Sequence, residues 1–191
     1  MSIKKSIILL IALLLMGNGI FCAALADHNE HKERKRYQKR HRNSSEHDGK
    51  RHLKPVDNPT YKEICGNCHF AYQPELLPSG SWGKILAGLA DHNGEEIEID
   101  QKFKKIISEY LKANSAEYSS AKRAAKIMRS LRGQTPMRIT DVPYIRHKHE
   151  DDDIPADAFT RKSVGSMSNC IACHTTAENG VYDDDHVVIP K

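Results

Sequence analysis

Cys65-Gly66-Asn67-Cys68-His69 and Cys170-Ile171-Ala172-Cys173-His174 repeat one pattern, Cys-x-x-Cys-His. Four of the chain's five cysteines lie in these two pentapeptides. The pattern is the attachment motif for c-type haem. Two thiols three positions apart on a helical turn reach the two vinyl groups of one porphyrin and form thioethers. The histidine that follows lies under the iron as proximal ligand. At this composition one match arises by chance in about one chain in a hundred, so two matches point to design. The motifs predict two covalent haem c groups, one on Cys65 and Cys68 and one on Cys170 and Cys173. His69 and His174 are the proximal ligands.

Two other chemistries fit the cysteines less well. The pairs lie much too far apart in sequence for a zinc ribbon, and zinc gives no reason for a histidine after each pair. Disulfides or thioredoxin-like redox sites also leave His69 and His174 unexplained. Haem, in contrast, supplies what the composition lacks. Aromatic residues are 6% of 191 and the mean hydropathy is −0.61. A small chain with so few core-forming side chains needs a cofactor or cross-links to complete its interior. The same figures exclude a multi-pass membrane protein and a large multidomain enzyme.

The first 26 residues read as a signal peptide. Lys4 and Lys5 form a positive n-region, Ile7 to Met16 an apolar h-region, and Ala24-Leu25-Ala26 a small-x-small cleavage site. The apolar run is shorter than the roughly 20 residues of a spanning helix, and Gly17, Asn18 and Gly19 interrupt it. Cleavage after Ala26 removes Cys22 and places the mature chain in the periplasm. Residues 27–54 follow as a basic tail with ten Lys/Arg, five Asp/Glu and five histidines. It buries too little apolar surface to offset its ordering entropy and reads as a disordered spacer. A weak membrane-surface contact is its alternative role. Residues 55–191 carry a net charge of −3, so the body of the protein is acidic and nucleic acid is not among its expected partners.

The sixth coordination positions decide between electron carriage and catalysis, because an open iron binds small molecules and a closed one does not. Ser81 is a plausible N-cap for a helix whose stripe is Trp82, Ile85, Leu86 and Leu89. His92 falls next on that stripe, before a stop at Gly94, and is the candidate distal ligand of the first haem. Met128 is its rival and would raise the potential. No methionine follows the second motif, so its distal ligand comes from upstream, from Met167 or from His186. Pro143 starts a short helix that leads to His147 and His149, two residues apart and facing different sides. His149 is favoured; His147 and His186 compete.

The remaining segments read as helical scaffold. Asp100 caps a helix with Phe103, Ile106, Ile107, Tyr110 and Leu111 inward. Ser115 caps another with Tyr118, Ala121, Ala125, Met128 and Leu131 on one face. Gly133 and Pro136 end it and divide a first haem lobe, 55–133, from a second, 134–191. Strand patterning is confined to Val187-Val188-Ile189. The fold class is mainly α: two small cytochrome c-like lobes with little regular strand.

Several stretches resemble the dihaem cytochrome c family (DHC) of bacterial periplasms. They are Tyr72-Gln73-Pro74-Glu75-Leu76-Leu77-Pro78 after the first motif, Ser81-Trp82 with Leu89 to His92 and Gly94, Arg138-Ile139-Thr140 with Pro143-Tyr144 and His149, and Ala177-Glu178-Asn179-Gly180 with Ile189-Pro190 after the second. The resemblance covers roughly residues 60–190. It implies an electron carrier with two low-potential, bis-histidine haems, and it gives the distal roles to His92 and His149. It also implies redox-protein partners, such as an oxygen-binding monohaem cytochrome c or a membrane cytochrome b. The expected protein is therefore a periplasmic electron carrier and not an enzyme. A haem peroxidase or reductase, a haem gas sensor, and an electron-entry subunit of a periplasmic nitrate reductase are the other readings. The acidic runs Asp151-Asp152-Asp153 and Asp183-Asp184-Asp185 suit either solvated loops or the steering of a basic partner.

Overall fold

Asn58 opens the first helix by accepting the Tyr61 N–H on its Oδ1 at 2.9 Å, with Pro59 supplying a fixed φ in the first turn. In the computed structural model, residues 52–150 and 153–191 are described, with Lys35 alone ahead of them. The signal-peptide assignment, Asp151, Asp152 and the tail up to Arg51, apart from Lys35, lie outside the described residues. Residues 48–191 make one compact unit.

The described residues form five α-helices: α1 (Pro59–Cys65), α2 (Ser79–Ala87), α3 (Gln101–Ala113), α4 (Lys122–Leu131) and α5 (Pro143–Lys148). Short 3-10 turns join them, and no strand is present among the described residues beyond isolated bridges at His92–Glu95 and His174–Val187. The fold is mainly α, as expected. Val187-Val188-Ile189 does not form a strand; Val187 bridges to His174, and the Val188 N–H donates to the Cys173 carbonyl at 2.9 Å. No described helix is long and apolar enough to cross a membrane.

Asp100 caps α3 through the Lys102 N–H at 2.8 Å, as its sequence position predicts. Two other caps differ from expectation. Ser81 lies inside α2 and is fully buried. The N-cap position belongs to Pro78, and Glu117 accepts the Ser79 N–H from 38 residues away. Burial pushes the Glu117 carboxyl up, but hydrogen bonds from Ser79 outweigh this and hold it below the usual range. Ser115 precedes only a single turn, Ala116–Tyr118, and α4 begins at Lys122. The buried face of α4 is therefore Ala124, Ile127 and Leu131, while Ala125 is exposed and Met128 packs at the margin. The α3 stripe buries Ile107 and Leu111 but leaves Phe103 exposed.

Leu77, Ile107, Leu111, Ile127, Leu131 and Val142 are fully buried in one core, with α2 packed on α3 and α4 on α5. Ala177 and Tyr182 join that core from the second motif's half. The turn at Arg132 and Gly133, both with positive φ, ends α4 without interrupting the packing. Leu53 also belongs to the core, 3% exposed, and its N–H donates to the Gly180 carbonyl at 3.1 Å. The ordered body therefore begins before Pro55. The expected tail boundary at Lys54 is corrected by this one buried leucine and its backbone bond.

Candidate haem sites

The first motif begins on the last residue of α1. Gly66 follows as C-cap, its N–H donating to the Lys62 carbonyl at 3.0 Å, so Cys65 is half-buried while Cys68 and His69 turn out to the surface. The His69 Nδ1 bonds the Phe70 carbonyl at 2.8 Å. That bond places the proton on Nδ1 and leaves Nε2 as a lone-pair donor, the arrangement a metal-ligating histidine takes.

His92 reaches the same place by a route the helical stripe does not describe. Gly88 ends α2, and Leu89–Asp91 form a 3-10 turn. A two-residue turn follows at Asn93 and Gly94, with φ of 58° and 94°. Positive φ at both positions is the signature of a tight reversal, which an Asn-Gly pair tolerates. The His92 N–H donates to the Glu95 carbonyl at 2.7 Å across it, and Asp91 Oδ1 accepts the Gly94 N–H. His92 and His69 then stand with ring centroids 6.3 Å apart and planes 30° from parallel. Burial, and then His69, lower the His92 pKa, which favours a neutral ring. Met128 packs against the hydrophobic core.

The second motif lies on a single 3-10 turn, Cys170–Ala172. His174 follows, held by its bridge to Val187. Opposite it stands His149, the C-cap of α5, with ring centroids 6.0 Å apart. The His149 Nδ1 bonds the Ile145 carbonyl at 2.8 Å, again freeing Nε2. Burial, then His149 and Arg123, push the His174 pKa down to about 4. His147 and His186 are exposed. Between His149 and His174 lies a cavity of about 340 Å³, whose wall includes Cys170, Cys173, Met167, Phe159, Ile189 and Tyr182.

These positions pass a metric test for haem. Two imidazole nitrogens each about 2 Å from one metal ion hold their ring centroids about 6 Å apart, since each nitrogen sits about 1 Å from its own centroid. Both histidine pairs have that spacing. All four motif cysteines are unpaired, and burial pushes the Cys65 and Cys170 thiols up to about 11. No group of three or more His, Cys, Asp or Glu converges as a metal site among the described residues.

Comparison with known proteins bears on the same residues. The model of the family Dihaem cytochrome c matches residues 61–182. The chain belongs to that dihaem cytochrome c family. A diheme cytochrome c from Rhodobacter sphaeroides is 38% identical, covers 68% of this chain and 100% of its own, and superposes with a TM-score of 0.58. The diheme cytochrome from Shewanella baltica OS155 is 34% identical over 70% of this chain and 93% of its own, with a TM-score of 0.56. No curated protein sequence matches. Membership brings two covalently bound haem c groups and a haem electron-transfer role, and the cytochrome c-like fold agrees.

Three residues around the dihaem cytochrome's histidine pairs were not singled out from sequence. Tyr72 packs its ring 4.8 Å from that of His69, and Tyr182 packs 5.4 Å from His174. Arg123 reaches the second cavity from α4. Tyr72 sits in a family-like stretch, but Tyr182 and Arg123 lie in no pattern that spacing would reveal. Asp183 also takes an inward role, 3.5 Å from Arg123 and 3.8 Å from His52. Asp184 and Asp185 remain exposed.

Proposed function

We propose that the protein is a periplasmic electron carrier with two low-potential, six-coordinate haems. The first is attached through Cys65 and Cys68 and ligated by His69 and His92; the second is attached through Cys170 and Cys173 and ligated by His174 and His149. The observation that carries this reading is the opposition of two histidine pairs at 6.3 and 6.0 Å. Haem iron bound in this way takes up and gives back one electron without making or breaking a substrate bond. The protein's part is to supply neutral imidazoles on both faces. Backbone carbonyls of Phe70 and Ile145 orient His69 and His149, and burial keeps His92 and His174 unprotonated. Nitrogen on both faces holds the potential below that of a methionine-ligated haem.

The partners in this reading are redox proteins with a basic docking face. An acidic body, with Asp184 and Asp185 exposed beside the second motif, favours such an encounter. The association rate then falls as salt rises. An oxygen-binding monohaem cytochrome c or a membrane cytochrome b fits this class; the basic tail is a spacer in this reading, with a weak contact to an anionic membrane surface as its alternative role. Export follows from the signal-like first 26 residues.

Optical and EPR spectra of the matured protein test the ligation. Two low-spin ferric signals, and no carbon monoxide binding on reduction, are the expected result. A high-spin haem that binds carbon monoxide would overturn it and turn the reading toward an enzyme or a gas sensor. Co-purification with a large catalytic subunit would instead make the protein an electron-entry subunit.

A further inference from the structure

Arg123 differs from the other cations of α4. Lys122, Lys126 and Arg129 are exposed, whereas the Arg123 side chain is only 18% exposed. Its helix is anchored in the common core by Ala124 and Ile127, and its guanidinium reaches the wall of the cavity between His149 and His174. Nη2 donates to the Tyr182 carbonyl at 2.9 Å and lies 3.5 Å from Asp183 Oδ1. The guanidinium carbon stands 5.6 Å from the Tyr182 ring centroid. Nε is buried and has no hydrogen-bond partner among the described residues.

A buried N–H of a charged group without an acceptor is costly. The nearby carboxylate does not meet the demand, because Asp183 reaches only Nη2 and only at the limit of bonding distance. Nε is closed off by packed protein, so an acceptor in the cavity meets the exposed edge of the guanidinium instead. The guanidinium presents a planar fork of donors that matches a carboxylate. A haem placed in this cavity brings such groups, its two propionates. We propose that the cavity-facing edge of the Arg123 guanidinium holds a propionate carboxylate of the second haem, so that a residue 47 positions before the second motif orients that haem and raises its potential.

The sign follows from charge. Oxidation adds a positive charge at the iron, and a fixed cation nearby opposes it. Lys148 also lines the cavity, but it is half exposed and sits 4.0 Å from Asp184, a solvated pair of little weight. Arg123 therefore dominates. The inference rests on the second haem lying between His149 and His174, and the test separates the two.

Holoprotein carrying Arg123→Gln and Arg123→Lys is titrated by spectroelectrochemistry, with redox-difference infrared spectra of the carboxylate region. His149→Ala identifies the second haem by opening it to carbon monoxide. In Arg123→Gln the second haem's potential falls, the first stays, and a propionate band shifts. Arg123→Lys restores most of the potential but not the band, because the charge returns without the fork. In the wild-type holoprotein, nitrogen-15 NMR finds the cavity-facing Arg123 Nη–H protons slow to exchange. Unchanged potentials and bands in a low-spin Arg123→Gln protein would overturn the proposal and leave Arg123 as a tie to Tyr182 and Asp183. Fast exchange of those cavity-facing Nη–H protons in wild type would overturn it even where the variants fail to mature. If His149→Ala opens neither haem, the placement of the second haem fails instead.

Discussion

The Tyr182 hydroxyl donates to Gln73 Oε1 at 2.5 Å across 109 residues of sequence. Gln73 is fully buried, and its Nε2 donates to the Ala177 carbonyl at 2.6 Å. Its neighbour Tyr72 packs on His69 and donates its hydroxyl to the Ser168 carbonyl. Tyr182 in turn packs on His174. The Tyr72-Gln73 dipeptide thus ties the surroundings of His69 to those of His174.

Gln73→Leu should cost about 1–3 kcal/mol of stability, because it leaves the buried Tyr182 hydroxyl without its acceptor, while the Ala177 carbonyl keeps the Gly180 N–H at 2.8 Å. Denaturant unfolding of the holoprotein measures the loss. The second haem's spectrum should shift as well, since Tyr182 loses the bond that orients its ring against His174. A stability within a few tenths of a kcal/mol of wild type would mean that water replaces the amide.

Removing each distal histidine should open one haem only. His92→Ala opens the first haem to carbon monoxide and leaves the second low-spin; His149→Ala does the reverse. His147→Ala and His186→Ala, at exposed positions, leave both spectra unchanged. Carbon monoxide difference spectra of the reduced variants read the outcome. A His92→Ala protein that stayed fully low-spin would show that another group closes the first iron.

Acid should detach the second haem's axial histidine late. Protonation of an imidazole nitrogen competes with its bond to iron, so ligation is lost as pH falls. An ordinary histidine takes its proton near pH 6.5. Burial already lowers the His174 pKa to about 4, and iron binding lowers it further. On the His174 side, ligation should therefore persist from neutral pH through 6.5 and give way only below about pH 4. Loss of the His174–iron bond near pH 6, tracked by the His174 ring signals in NMR, would contradict the burial seen there.

Gly180→Ala should destabilise the fold strongly. Gly180 has φ of +76°, and a Cβ there would come within 2.1 Å of the Leu53 carbonyl oxygen. The left-handed backbone alone costs about 1–2 kcal/mol for a residue with a side chain. The clash also threatens the bond from the Leu53 N–H to the Gly180 carbonyl. Leu53→Ala removes the apolar anchor of the same contact and should cost about 2–5 kcal/mol. Thermal unfolding of both variants checks these values. The pair also locates the start of the folded body, since trimming the chain to residue 52 should be tolerated and trimming to 55 should not.

The covalent haem attachment of this protein was legible from sequence, because its motif is local: five consecutive residues carry both thiols and the histidine. The cap at Asp100 and the stop at Gly94 are local in the same sense, although Ser81 and Ser115 show that a capping residue type does not guarantee a cap. Tertiary packing decided what depends on distant segments meeting. It set His92 against His69 through a broken helix and a tight turn, and it chose His149 over His147 and His186 to stand opposite His174. It also brought Tyr182 to Gln73, Leu53 to Gly180 and Arg123 to the second cavity. Side-chain periodicity describes only which face an element buries; which residues meet across that face depends on chain reversals and core packing far away in the sequence.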